Sequence, residues 1–289
     1  MLPDVVDLLR CPVCGGGLAV GDGVVRCDAG HSFDVARQGY VNLVPGNGDT
    51  AEMVEAREAF LDAGHYRRLS EALAEEARSA IGAAGGGSAG PDAGSPAACV
   101  VDVGAGTGHH LAAVLEALPG ARGLALDASS AALRRSARSH SRAAAIGADA
   151  WKPLPLRDAA AALVLSVFAP RNAGELARSL TPGGSLIAAT PTTRHLAELV
   201  GPLGLLSVPD EKADRLDAQL AGPFDLTGRT SIEHDMFLSR EEAAQLVRMG
   251  PSAWHVDEET LAERLAALPD PLTVTASVTV SVYSRSPRP

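Results

Sequence analysis

Residues 99 to 108 read Cys-Val-Val-Asp-Val-Gly-Ala-Gly-Thr-Gly, and a helix-length pattern from His110 to Leu118 follows directly. A buried strand that runs into glycines at alternate positions must turn sharply into the next helix. Without a Cβ the backbone can approach a ligand closely, and the first amides of the helix are left unpaired to meet it. Working outward, short apolar runs alternate with helical patterns. Gly123 to Leu126, Ala143 to Ile146, Ala161 to Phe168 and Ser185 to Ala189 read as strands, and Ser130 to Arg142 and Ala173 to Leu180 as helices. That alternation predicts βαβ units and a mostly parallel sheet covered on both faces. Toward the end, Leu272, Val274, Ala276, Val278, Val280 and Val282 alternate with small or polar residues, as expected of a half-buried strand paired antiparallel with Ser231 to Leu238. There is no internal repeat.

The identity of the loop's ligand turns on single positions. A dinucleotide fingerprint wants glycine at the sixth place of G-x-G-x-x-G, where His109 stands, whereas acid-x-G-x-G-x-G is the form used for S-adenosylmethionine (SAM). On that reading Asp102 orders the loop and receives the ammonium of the methionine part, and Gly104, Gly106 and Gly108 line the cofactor. Asp127, ending the second strand, is placed to accept the ribose hydroxyls, with capping of the next helix as its plain alternative. Asp149 and Trp151, after the third strand, are candidates for the adenine amino group and ring; a surface acid and a packing tryptophan are the competing reading. Phe168 and Pro170, ending the fourth strand, face the methyl and could hold a flat acceptor, or serve as core residue and strand stop.

A second constellation lies at the start. Cys11, Cys14, Cys27 and His31 give C-x2-C, twelve residues and C-x3-H, with a hairpin through Gly21-Asp22-Gly23 to bring the pairs together. Three thiolates and one imidazole favour zinc over calcium or magnesium, and a closed four-ligand site is structural. Cys99, the remaining cysteine, is a core residue. The organisation expected is therefore a zinc-binding domain over 1–48, a helical segment with a Gly/Ala/Ser/Pro-rich connector over 49–98, and a SAM-dependent domain over 99–289.

The chain has 289 residues, 46% of them hydrophobic, which excludes a disordered or fibrous protein. No apolar run reaches the ~18 residues of a membrane span, and the acidic start is unlike a secretory leader, so a cytoplasmic protein without disulfides is expected.

Taken together, the zinc knuckle, Gly39-Tyr40-Val41-Asn42-Leu43, the segment GDTAEMVEAREAFLDAGHYRRL (residues 48 to 69) and the Asp102 to Gly108 loop resemble the bacterial 23S ribosomal RNA guanine-N1 methyltransferases. The likeness extends through Phe168-Ala169-Pro170, Ala189-Thr190-Pro191 to Leu196, and Met249-Gly250-Pro251 to Trp254, and is nearest the branch acting on guanine 748, linked to resistance to tylosin-type macrolides. The resemblance implies a Rossmann-like class I SAM methyltransferase, structural zinc on the four ligands above, a 23S rRNA hairpin as substrate, and a homodimer whose zinc domains wall an RNA cleft. Arg68 departs from an expected proline and Gly250 from an expected threonine, which bears on the acceptor pocket.

Chemistry adds two demands. Guanine N1 lies on the Watson–Crick edge, so the base must be unstacked, and its proton must leave. His195 and His65 are the candidate bases, each also readable as a packing histidine. A net charge of −10 argues against nucleic acid unless charge is segregated. Acids do crowd the C-terminal third, while Arg134, Arg138 and Arg142, with Arg135, recur at helical spacing as one cationic face, and Arg37, Arg67 and Arg68 are expected to add phosphate contacts from the zinc side. The rival readings are a small-molecule SAM methyltransferase, a non-catalytic zinc RNA-binding protein and, weakest, an NAD dehydrogenase.

Overall fold

The computed structural model describes residues 2–84, 98–205, 212–250 and 257–287. Most of the expected connector, and Pro251 to Trp254, lie outside them. A three-stranded antiparallel ribbon, β1 (Leu18–Gly21), β2 (Val24–Cys27) and β3 (Ser32–Asp34), precedes an eight-stranded sheet. In chain order the large sheet contains β4 (Val41–Asn42), β5 (Cys99–Val103), β6 (Arg122–Asp127), β7 (Ala143–Gly147), β8 (Ala161–Val167), β9 (Leu180–Pro191), β10 (Phe224–Leu238) and β11 (Leu272–Arg285). Across the sheet the order is β10-β11-β9-β8-β5-β6-β7-β4. Strands β4 through β9 pair in parallel, and β11 joins β9 and β10 antiparallel, with Ser231 to Leu238 opposite Thr279 to Leu272 as the alternation predicts. Order reverses between β5 and β8, so the ends of those strands diverge and leave a crevice there.

The two faces are covered differently. Val100, Ala125, Ala145 and Leu163 face one side and join helices α1 (Ala51–Asp62), α2 (Arg67–Ala84) and α3 (His109–Ala117) in one core. Val101, Leu124, Leu126 and Val164 face the other side, where Leu2, Val5, Leu9, Cys11, Val25 and Cys27 of the N-terminal piece fill the second core. The zinc lobe thus does the work of a covering layer. It is pinned by an antiparallel bridge from Leu9 to Leu156 and by Arg157, whose Nε donates to Leu9 O at 3.2 Å. Its last strand, β4, is the edge of the large sheet, in register with Ile146 and Gly147.

One expectation fails. The helix read over Ser130 to Arg142 ends at Ser136 (α4, Ser130–Ser136). Arg142 lies beyond it, and its guanidinium donates to the carbonyls of Leu118 and Ala121, both at 2.7 Å, and of Leu115, covering the end of α3. Arg135 pairs with Glu58 at 3.3 Å. The four arginines therefore do not form one cationic face, because Arg135 and Arg142 are drawn back onto neighbouring elements; Arg134, whose Nε donates to Ser130 O at 3.2 Å, and Arg138 remain exposed.

Candidate active site

The knuckle is built by local turn chemistry. Gly15 (φ +74°) lets its amide return to the Cys11 carbonyl at 2.8 Å, while the Cys11 amide reaches Gly16 O at 2.8 Å. Asp22 and Gly23 both take positive φ, the geometry of a type I′ turn, and β1 and β2 then carry Cys27 back to the first pair. Ligand atoms of Cys11, Cys14, Cys27 and His31 lie within 4.8 Å of one another. Cys14 Sγ and Cys27 Sγ are 3.7 Å apart, close to the ~3.8 Å edge of a tetrahedron with 2.3 Å zinc–sulfur bonds. His31 turns Nδ1 inward, 3.3 Å from Cys27 Sγ. The donor set fits zinc, with no position left for a reacting water. Cys99 is a buried thiol in β5 whose pKa burial pushes up to about 12, as a core residue should be.

At the carboxyl ends of β5, β6, β7 and β8 opens a cavity of about 510 Å³, within the range of small-molecule sites. Gly104, Gly106 and Gly108 all have positive φ, at +76°, +55° and +80°. At Gly104 a Cβ would sit 2.6 Å from that of Ala169, and at Gly108 one would sit 2.5 Å from Ser139 Oγ, so both positions exclude a side chain on steric as well as torsional grounds. The amides of Gly104 and Ala105 donate to Leu126 O at 2.8 and 3.0 Å. Asp127 Oδ2 accepts from the Gly106 amide and Oδ1 from the Ser129 amide, both at 2.8 Å. Asp127 is thus a brace of the glycine loop, a task expected of Asp102; its remaining lone pairs face the cavity it lines. Capping of α4 falls to Ser129, whose side chain accepts from Ala132 N.

Asp102 is 2% exposed and its Oδ1 has no hydrogen-bond partner. Burial, and secondarily the Asp127 carboxylate, pushes it up to about 7. An orphaned buried carboxylate on a glycine cradle fits a ligand that brings an ammonium group. Opposite it, Arg57 of α1 lies over Gly106 and bridges the Asp49 carboxylate (2.5 Å) and the Met249 carbonyl (2.8 Å), joining segments almost two hundred residues apart. Asp149 Oδ1 caps its own turn by accepting from Trp151 N at 3.0 Å, and Oδ2 is 3.4 Å from Lys152 Nζ. Both Asp149 and Trp151 line the cavity, Trp151 with its ring largely in solvent.

The far wall is aromatic. Phe168 stands at φ +53°, an unfavourable conformation for a bulky residue, and is 41% exposed beside Pro170. Its ring is 5.9 Å from that of Tyr66 and stacks on that of His195 at 5.8 Å. His195 lies behind Tyr66 and Phe168, buried, with Nε2 3.1 Å from Tyr66 Oη and Nδ1 3.2 Å from the Ser277 amide. His65 points away, its Nε2 2.9 Å from Glu242 Oε1. Tyr66, Arg57 and Asp49 carry no motif spacing; they were visible only inside the segment from 48 to 69. Arg67 and Arg68 open α2, on the helix-covered face opposite the zinc lobe, so they do not extend that lobe's surface.

Comparison with known proteins fixes the family. Residues 9–49 match the RlmA N-terminal zinc ribbon, and residues 100–184 a methyltransferase domain. A 23S rRNA (guanine(748)-N(1))-methyltransferase of Streptomyces fradiae is 51% identical over 286 residues, covering 98% of both chains. A protein of Micromonospora griseorubida assigned as a 23S rRNA (guanine-N(1)-)-methyltransferase is 51% identical over 98% of this chain and 99% of its own. The Bacillus subtilis relative YxjB, with the same assignment, is 30% identical over 67% of each. The chain belongs to the 23S rRNA (guanine-N1)-methyltransferase family. Its zinc ribbon and its class I methyltransferase fold are those the sequence implies, with SAM as the cofactor. No helix among the described residues is long and apolar enough to cross a membrane.

Proposed function

We propose that the protein transfers a methyl group from SAM to N1 of a guanine in a 23S rRNA hairpin, guanine 748 in particular, and so protects ribosomes against tylosin-type macrolides. One observation carries the reading: a chain matching the guanine 748 enzyme end to end holds, in a single cleft, a glycine cradle, an unpartnered buried acid and an aromatic wall of Tyr66 and Phe168. SAM supplies an electrophilic methyl on a sulfonium that leaves readily. The chain's own task is alignment, which can contribute ~7 to 11 kcal/mol. Asp102 would take the ammonium, the first amides of α3 the carboxylate, Asp127 the ribose, and Asp149 with Trp151 the adenine. Phe168 and Pro170 would hold the guanine against the methyl. Arg134 and Arg138 are left as phosphate contacts. Action as a homodimer in the cytoplasm completes the proposal and follows from the family likeness.

The test is incubation of the protein with tritiated SAM and two hairpins, one with the target guanine and one with adenine in its place. Label in the first alone, with a primer-extension stop at that base, supports the reading. Equal label in both removes it, and SAM binding without label in either would favour a small-molecule methyltransferase.

A further inference from the structure

The wall that faces the acceptor contains a proton-ordered chain whose direction can be read from one backbone bond. Ser277 N–H is a donor and nothing else, and it points at His195 Nδ1 at 3.2 Å. Nδ1 must therefore present its lone pair, which in the neutral ring puts the proton on Nε2. That Nε2–H meets Tyr66 Oη at 3.1 Å and donates to it. The phenol is then an acceptor on that side, and its own proton is directed elsewhere. Tyr66 is 4% exposed, lines the cavity, and is flanked by Phe168, the ring at the end of β8. Burial raises the Tyr66 phenol well above its ordinary range, so it stays protonated and donates. His195 has neither a free lone pair nor an opening to the cavity, which rules it out as the base it resembled in sequence.

We propose that Tyr66 is a catalytic residue whose O–H donates to O6 of the target guanine, and that His195 is a positioning residue that turns that hydroxyl toward the cavity. This rests on the guanine-N1 reading above. The N1–H bond breaks and the proton passes to water; the electron pair left behind spreads onto O6, where the Tyr66 hydrogen bond strengthens as charge develops. The pair at N1 then forms the N1–CH3 bond while the S–CH3 bond breaks, its electrons staying on sulfur. A phenol held this way favours guanine over adenine, because adenine offers an amino group where O6 would be and leaves the donor unmatched.

Three measurements test it. In Tyr66→Phe, kcat should fall about 100-fold or more, with SAM affinity by calorimetry and KM for the hairpin within about twofold of wild type; a kcat within threefold overturns the role of Tyr66. His195→Ala should lose about 10-fold in kcat, and His195→Gln, which keeps an N–H at the far end of the side chain, should recover most of it; if Gln is as inactive as Ala, with unchanged melting temperatures, His195 is the base and the proposal falls. Nitrogen-15 NMR of histidine-labelled protein without ligand should show one slowly exchanging ring with Nε2 protonated and Nδ1 bare, a signal lost in His195→Gln; a proton on Nδ1 overturns the chain of donors. Wild type that labels no guanine at N1 removes the parent reading instead, and that is seen before any variant is made.

Discussion

The zinc knuckle and the cofactor cleft are both built to hold a charged guest, and they do so in opposite ways. In the knuckle four side chains within twenty-one residues supply every ligand, and two tight turns set their positions. In the cleft the lining is the glycine loop and the ends of parallel strands, with walls brought from residues 49 to 66, 127, 168 and 249. A site of the first kind is encoded in spacing. A site of the second kind is encoded in topology, and only its glycine loop has a local signature.

Removing zinc should break the comparison most forcefully. Cys11 and Cys27 are also core residues against the sheet, so chelation or Cys14→Ser should unfold the lobe and uncover that face. With structural zinc worth on the order of 10 kcal/mol in isolated fingers, a fall of at least ~10 °C in melting temperature is expected by calorimetry. An unchanged melting temperature would mean that the lobe stands without its metal. In the cleft, Gly104→Ala should leave zinc content intact while weakening SAM by about 100-fold, ~2.7 kcal/mol, measured by titration calorimetry. Loss of zinc together with SAM would make the two regions one cooperative unit.

Asp102→Asn sharpens the contrast through pH. The folded carboxyl titrates near 7 against an ordinary 3.8, so between these values the native state holds more protons than the unfolded chain, and stability falls as pH rises through that window. The Asn variant lacks this slope. It should be more stable than wild type by up to about 4 kcal/mol in urea melts at pH 8 and no more stable at pH 4, yet bind SAM more weakly. Binding to wild type at pH 6.5 should release protons, seen as a buffer-dependent heat, because an incoming ammonium favours the carboxylate.

The smallest effects separate two arginines that the sequence made equivalent. Arg142→Ala should cost ~1 to 2 kcal/mol of stability and leave RNA affinity unchanged, since its donors are spent on the end of α3. Arg134→Ala should alter stability by less than ~0.5 kcal/mol but lower the salt dependence of hairpin binding by about one unit of slope.

Most strands, the antiparallel finish, the four metal ligands and the glycine loop were legible because each follows a period or a spacing that local chemistry imposes. The arginine face was not, since a four-residue recurrence continues past a helix end as readily as within it, and nothing in the residues marks Ser136 as the last turn. Nor could spacing distinguish His195 as base from His195 as donor, because the deciding group is the amide of Ser277, eighty-two residues away. Asp127 was seen as a ribose ligand before it was seen as a brace, for a similar reason: its amide partners are defined only once Gly106 has turned back over it.

Strand β4 is two residues long, but it ties the metal lobe to β7, whose far end leads into Ala148 and Asp149 on the wall of the cleft. Val44 N–H reaches Gly147 O at 2.9 Å, and the amide of the next residue, Ala148, reaches Asp127 O at 3.0 Å. Asn42 packs so closely on Gly147 that a Cβ there would lie 2.0 Å from its side-chain oxygen. A displacement of β4 is passed on, through two amides, to the residue whose carboxylate braces the loop.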